Sequence, residues 1–325
     1  QEELTATITT PAESKTVTGL PGAHISTTVA AINGVNNITV SVANAAGSSE
    51  ISEVSARCGL DTPKAPKFTK VDVSEDGLGV LLEWEPVTEG INGGVVNPSA
   101  MMYRVSEYDE DDEDWYAVEH LAGTSYEYRV SAVTPLDFVK LCIEAYNSPS
   151  TNSSKTEVTA LAGEPKTLAV EENFTNGQLD QPVTYILSTS TTAPSWSLDL
   201  PGNVFEAAAL EGGQKVLVGH TTANSGDSGI VLPLFATTNA EFGVTFTIDA
   251  YMTENTTPTM AVYARTFGTD RQLVGNLVRE SDGWATYSFT LPADLLNRPW
   301  VEIMIYNNFI HGSADYALIK SYSVK

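Results

Sequence analysis

Leu82-Glu83-Trp84-Glu85-Pro86 holds the end of a segment, Leu78 to Trp84, whose side chains follow the period of two expected of a strand. Six more segments of that kind surround it: Lys67 to Val73 before it, then Met101 to Tyr108, Trp115 to Glu119, Ser125 to Val130, Val139 to Tyr146 and Lys155 to Leu161. Turn-forming clusters separate them at the spacing of a β-sandwich. Residues 61–164 are therefore expected to fold as one antiparallel two-sheet module.

The residues of this module resemble a fibronectin type III domain, an immunoglobulin-like sandwich. Residues 82–86 look like its second strand, whose Trp packs between the sheets, and Tyr103 falls where the third strand carries Tyr. Gly123-Thr124-Ser125-Tyr126 is similar to the run entering strand E, and Ile143-Glu144-Ala145-Tyr146-Asn147 to the Val-x-Ala-x-Asn of strand F. Val139 stands where strand F usually has its corner Tyr. Upstream, Ile38-Thr39-Val40-Ser41-Val42-Ala43-Asn44-Ala45-Ala46-Gly47 again resembles strand F and its turn, with Ile51 to Ala56 as strand G. Counting back, Gln1 falls where a third strand starts, so residues 1–60 read as a truncated module of the same type, short of strands A and B. Cys58-Gly59-Leu60-Asp61-Thr62-Pro63-Lys64-Ala65-Pro66 and Ala162-Gly163-Glu164-Pro165 read as short, semi-rigid connectors. Their style resembles tandem modules in surface proteins of Bacteroides-like bacteria.

Residues 165–325 have a different rhythm. Phe242 to Ala250, Thr259 to Phe267, Trp284 to Leu291, Val301 to Tyr306 and Ala317 to Val324 alternate as strands, while Phe205 to Glu211 and Ala293 to Asn297 are the only helical hints. Glu172-Asn173-Phe174, Ser228-Gly229-Ile230-Val231-Leu232-Pro233-Leu234, Gly283-Trp284 and the closing strand after Gly312 resemble, in that order, the jelly-roll modules of the cleaved-adhesin, MAM-like and carbohydrate-binding group. Calcium-binding members of that group carry an acidic residue near the first strand and Asp in the last. Glu172 matches the first, whereas Ala317-Leu318-Ile319-Lys320 does not match the second and Asp315 is the substitute at hand. The expected fold is thus all-β: two fibronectin type III-like sandwiches, the first truncated, and a C-terminal jelly-roll.

Composition bounds what such a chain can do. Its 325 residues leave room for two or three cores, and 41 acidic against 17 basic residues give a formal charge of −24. That charge repels phosphate backbones and anionic lipid surfaces, so nucleic acid and membrane surfaces are poor partners. No apolar run reaches the length of a membrane span, and Cys58 and Cys142 are too few for a disulfide scaffold.

The chemical motifs are thin. Gly226-Asp227-Ser228-Gly229 imitates a serine-protease nucleophile loop, but Ile230 follows where Gly belongs and His220 lies only eight residues upstream. The run Glu107 to Asp114 lacks the Gly of a calcium loop and reads as a solvated hairpin tip. His24, His120, His220 and His311 show no metal-ligand spacing. What remains are aromatic side chains on which a sugar ring can stack. Trp84 and Trp284 are assigned to cores. Trp196, Trp300, Tyr306 and the loop Asn307-Asn308-Phe309-Ile310-His311 are the expected ligand contacts, through Trp196, Trp300, Tyr306, Asn307, Asn308, Phe309 and His311. The reading is a monomeric, non-catalytic adhesion protein, secreted or on the outer cell surface, with structural calcium at Glu172 and Asp315 and a glycan or protein as ligand. The alternative is a binding and spacer appendage of a secreted glycoside hydrolase.

Overall fold

A computed structural model describes residues 2–32, 34–147, 152–174, 185–188, 195–197, 215–220, 228–238, 240, 243–252, 260–279, 283–307 and 316–325. By compactness the chain divides into two units: residues 1–70, 82–126 and 140–158 form one, and residues 71–81, 127–139 and 159–325 the other. The described residues are almost wholly strand and connecting loop. No helix among them is long and apolar enough to cross a membrane.

The segment that ends at Trp84 is strand β7 (Gly79–Trp84), and it pairs with β6 (Phe68–Val73) and β10 (Ser125–Arg129) in a three-stranded sheet. The facing sheet runs β12 (Thr156–Ala162), β11 (Asp137–Tyr146), β8 (Met102–Asp109) and β9 (Asp114–Leu121). Strands one, two and five of the module thus lie in one sheet and three, four, six and seven in the other, the split of an immunoglobulin-like sandwich. Val80, Leu82 and Trp84 point inward on alternate residues, with Trp84 2% exposed. Its ring meets Tyr103 edge-on at 5.4 Å. The Tyr103 hydroxyl accepts the Val87 N–H at 2.9 Å, which fixes the chain as it leaves β7. The acidic run is a hairpin tip: Asp109 Oδ1 accepts the N–H of Asp111 and Asp112, and Glu113 turns the chain with φ of 52°. Both cysteines are free thiols, and burial pushes the Cys142 thiol up to about 11.

Upstream lies a single antiparallel sheet of β1 (Leu4–Thr9), β2 (Ser14–Gly19), β3 (Gly34–Asn44), β4 (Gly47–Ser48) and β5 (Ser52–Cys58). Its order β2-β1-β3, with β5 also on β3, repeats the order β9-β8-β11-β12 of the next module. Register puts Leu4, Ala6, Ile8, Val17, Ile38, Val40, Val42, Val54 and Ala56 on one face and a field of Thr and Ser on the other. Among the described residues 2–60 no second sheet faces this one, and no apolar side chain there is fully buried.

The C-terminal sandwich has a six-stranded sheet, β15 (Ser195–Ser197), β16 (Leu217–His220), β23 (Tyr316–Val324), β18 (Thr245–Met252) and β21 (Trp284–Thr290), with β13 (Val170–Glu172) added on β23. Opposite it stands a sheet of β14 (Tyr185–Ser188), β17 (Ser228–Val231), β22 (Glu302–Asn307), β19 (Met260–Arg265) and β20 (Gln272–Asn276). The core between them takes alternate residues of its central strands: Phe246, Ile248 and Ala250 of β18 cluster with Ile303 and Ile305 of β22 and Val262 and Ala264 of β19. Gly275 is required where it stands, because a Cβ there would lie 2.4 Å from the Phe289 ring. Of the helical hints, Ala293–Leu295 is a single 3-10 turn, and residues 205–211 fall outside the described residues.

Two mutational outcomes follow from these contacts. Trp84→Ala should cost about 3–5 kcal/mol in a urea titration of the intact chain, the ordinary price of emptying a large core aromatic. Asp76, in the β6–β7 turn, is held at about 2 instead of 3.8, chiefly by the Arg129 guanidinium against the opposing effect of burial, with help from the Leu78 N–H and the Ser74 hydroxyl. A carboxylate lowered on folding stabilises at pH above its unfolded value and loses that contribution as pH falls through the folded value. The stability difference between wild type and Asp76→Asn should therefore be full at pH 6 and shrink between about pH 4 and pH 2.

Candidate functional site

The sugar-stacking expectation for Trp300 needs correcting first, because this residue is 0% exposed. Its indole N–H donates to the Ser74 carbonyl at 2.7 Å, at the end of β6, and its ring packs with Val73, Leu136, Leu161 and Leu234. All of these residues belong to the second compact unit, so segments 71–81 and 127–139 pack with the C-terminal sandwich as its own. Arg265 lies over the ring, its guanidinium carbon 5.4 Å from the centroid. That guanidinium grips Glu302 with two hydrogen bonds of 3.0 and 3.1 Å and reaches Asp72 at 2.8 Å, and Arg271 adds two more to Glu302. Burial alone would raise the Glu302 carboxyl; the two arginines outweigh it and hold the group below its ordinary value. Every charge in this buried set has its partner, which is the condition for keeping charges out of water.

Two half-buried aromatic side chains stand on the outer face of the sheet carrying β13, β23, β18 and β21. In β18 the burial alternates along Thr245 to Met252, leaving Thr247, Asp249 and Tyr251 outside. Register sets Tyr251 opposite Trp284, Asp249 opposite Thr286 and Thr247 opposite Ser288. On the other flank Asp249 faces Ser321 and Thr247 faces Ser323. Trp284, assigned to the core from sequence, is half-buried on this outer face, with its ring 5.8 Å from that of Tyr251 and tilted by 52°. Lys320 is displaced outward at the bulge between Asp249 and Ala250, and its ammonium stands 5.9 Å from the Trp284 ring. Asp249 accepts from Thr286 at 2.5 Å and from Ser321 at 3.0 Å, so its carboxylate is fixed in the plane of the face. Beside this row a shallow hollow of about 290 Å³ is lined by Glu171, Asp249, Ser321, Ser323 and Lys325 among others. Two adjoining π faces next to hydroxyl, carboxylate and ammonium groups can offer C–H contact to a sugar ring and hydrogen bonds to its hydroxyls.

The remaining expected contacts scatter. Tyr306 is half-buried on the outer face of the opposite sheet, edge-on to Tyr263 at 6.0 Å. Asn307 ends β22, in register with Ser228 and Met260. Trp196 sits in β15 opposite Gly219. Asn308, Phe309, His311 and Asp315 lie outside the described residues, as do Gly226 and Asp227. Glu172 Oε1 accepts the N–H of Asn173 and Phe174 at 2.8 Å each, a turn contact at the end of β13. Among the described residues no group of three or more His, Cys, Asp or Glu is placed to hold a metal. His24 is exposed, and exposed His120 Nδ1 is 2.9 Å from the Tyr146 hydroxyl.

No family model matches the sequence, and no curated protein matches it. Among solved structures, the K1 cleaved adhesin domain of Lys-gingipain from Porphyromonas gingivalis W83 is similar over 48% of this chain and 97% of its own, at 14% identity and a TM-score of 0.34. A carbohydrate-binding module of the β-sandwich superfamily covers 82% of this chain and 100% of its own, at 13% identity and 0.34. TmCBM61 in complex with β-1,4-galactotriose covers 47% and 93%, at 8% identity and 0.33. Likeness at this level bears on neither ligand nor site.

Trp300→Ala should destabilise the C-terminal sandwich by about 3–5 kcal/mol. Trp300→Phe keeps most of the packing and loses the N–H donor, and should cost about 1 kcal/mol. Urea denaturation of the two variants checks both, and a Trp300→Phe variant as stable as wild type would show that the indole N–H contributes nothing.

Proposed function

We propose that the chain is a non-catalytic binding protein of the cell exterior whose jelly-roll presents a glycan site on the outer face of β18, β21 and β23. The half-buried pair Tyr251 and Trp284 beside the fixed Asp249 row carries this reading, since an outward Trp and Tyr in register on neighbouring strands form a stacking surface with polar groups at its border. Residues 61–164 serve as a fibronectin type III-like spacer, and the upstream sheet as part of a second module of that type. The net charge of −24 favours a neutral saccharide over a sulfated or uronic one by like-charge repulsion. The chain works as a monomer, and Glu172 with Asp315 remains the proposed calcium position. Tyr306 and the loop after it are a secondary contact proposal on the opposite sheet.

A neutral-oligosaccharide array probed with the intact chain should give hits that Trp284→Ala weakens about fivefold or more, given the roughly 1–3 kcal/mol that one aromatic stacking contact contributes. Binding that survives Trp284→Ala and Tyr251→Ala but falls with Tyr306→Ala would move the site to the opposite sheet. An array without hits, with and without calcium, would leave a protein ligand as the reading.

A further inference from the structure

The connector between the upstream sheet and the next module reads in sequence as a spacer, but one carboxylate organises it. Asp61 is 0% exposed, and its two oxygens accept four N–H groups: the backbone of Thr62 at 2.8 Å, the backbone and side-chain amide of Asn92 at 2.9 and 2.8 Å, and the backbone of Gly94 at 2.9 Å. Arg57, near the end of β5, brings its Nε within 2.9 Å and contributes charge without a directed hydrogen bond. Three stretches of chain therefore meet at one side chain: the last residues of the upstream sheet, the connector, and the loop of residues 89–95. All three lie within the first compact unit.

The backbone follows the same arrangement. Asp61 N donates to Val95 O at 2.7 Å, Ile91 N to Thr62 O at 2.9 Å and Lys64 N to Glu89 O at 2.9 Å, with Leu60 bridged parallel to Val95 and Pro63 antiparallel to Gly90. The loop closes this tightly because its glycines leave space. A Cβ on Gly90 would stand 2.3 Å from Asp61 Oδ2, and one on Gly94 would stand 2.9 Å from Asp61 Cβ. Gly93 turns the chain between them at φ of +72°. Burial works against the charge, and the Asn92 amide with the N–H groups of Gly94, Asn92 and Thr62 outweighs it, holding the carboxyl at about 2.

We propose that Asp61 is a clamp that turns the connector of residues 58–66 from a semi-rigid spacer into a fixed joint between the upstream sheet and the loop of residues 89–95. Removing the carboxylate leaves four N–H donors and a guanidinium facing a space with no acceptor, so the loop and connector separate to reach water. The upstream sheet then swings on a tether where it was held.

Trypsin cleavage of the intact chain after Lys64 tests this, with cleavage after Lys140 in β11 as the internal control for folding. Asp61→Ala should be cut after Lys64 at least about tenfold faster than wild type, in line with the loss of several charge-assisted hydrogen bonds, and Asp61→Asn, which keeps one acceptor oxygen, faster than wild type by a smaller factor, while cleavage after Lys140 stays slow. Should Asp61→Ala fail to fold, Asn92→Ala keeps the carboxylate and removes one donor, and faster cutting after Lys64 with β11 intact supports the clamp equally. Unchanged cutting after Lys64 in all folded variants, or wild-type cutting there as fast as in the variants, would overturn it.

Discussion

The buried contact of Trp300 with the Ser74 carbonyl, wrapped by Arg265, Glu302, Asp72 and Arg271, is the constraint on which the C-terminal half depends. A Trp with a polar tip is stable inside only if the tip finds an acceptor, and the acceptor here comes from a turn more than two hundred residues earlier in the chain. The ion set around it is equally dependent on that turn, because Asp72 supplies one of the two carboxylates facing Arg265. Cutting the chain at the connector of residues 162–165 would leave Trp300, Leu234 and Arg265 without part of their packing. The jelly-roll core between its two sheets is thus necessary but not sufficient for the compact unit to which it belongs.

With the interior fixed in this way, the outward face is set by the pleat alone. Thr247, Asp249 and Tyr251 must point away from the core because Phe246, Ile248 and Ala250 point into it. The bulge at Asp249 and Ala250 then shifts β23 by one residue and places Lys320 beside Trp284, where strict alternation would have put a different neighbour. The proposed stacking surface therefore needs no special loop; it follows from core packing plus one register shift.

Most of the fold was legible in the sequence because its cues are local. All seven strands of the module at 61–164 and the later strands of the third unit show the two-residue period, and each is present to within a few residues of its expected bounds. Strands β13, β15, β16 and β20 are short and carry no such period, so pattern could not find them. The two tryptophan assignments failed for separate reasons. Trp300 stands between Pro299 and the onset of β22, a position that looks like a loop platform, and only the distant Ser74 reveals that it is interior. Trp284 was open to a better reading: in Trp284-Ala285-Thr286-Tyr287-Ser288-Phe289-Thr290 it shares its phase with Thr286, Ser288 and Thr290, while Tyr287 and Phe289 pack on the core. Phase within the strand outweighs the general preference of Trp for burial. The Asp61 contacts could not be read at all, because a carboxylate in a Pro-rich connector gives no local sign of the glycines thirty residues on that enclose it.

Native-state hydrogen exchange on the intact chain shows whether the turn at Ser74 and the jelly-roll form one cooperative unit. The Ser74 amide, bonded to Gly79 O, and the Leu232 amide, bonded to Ile303 O, should open with the same free energy and the same denaturant dependence. A Ser74 amide that exchanges through a separate, lower-energy opening while Leu232 stays protected would contradict it.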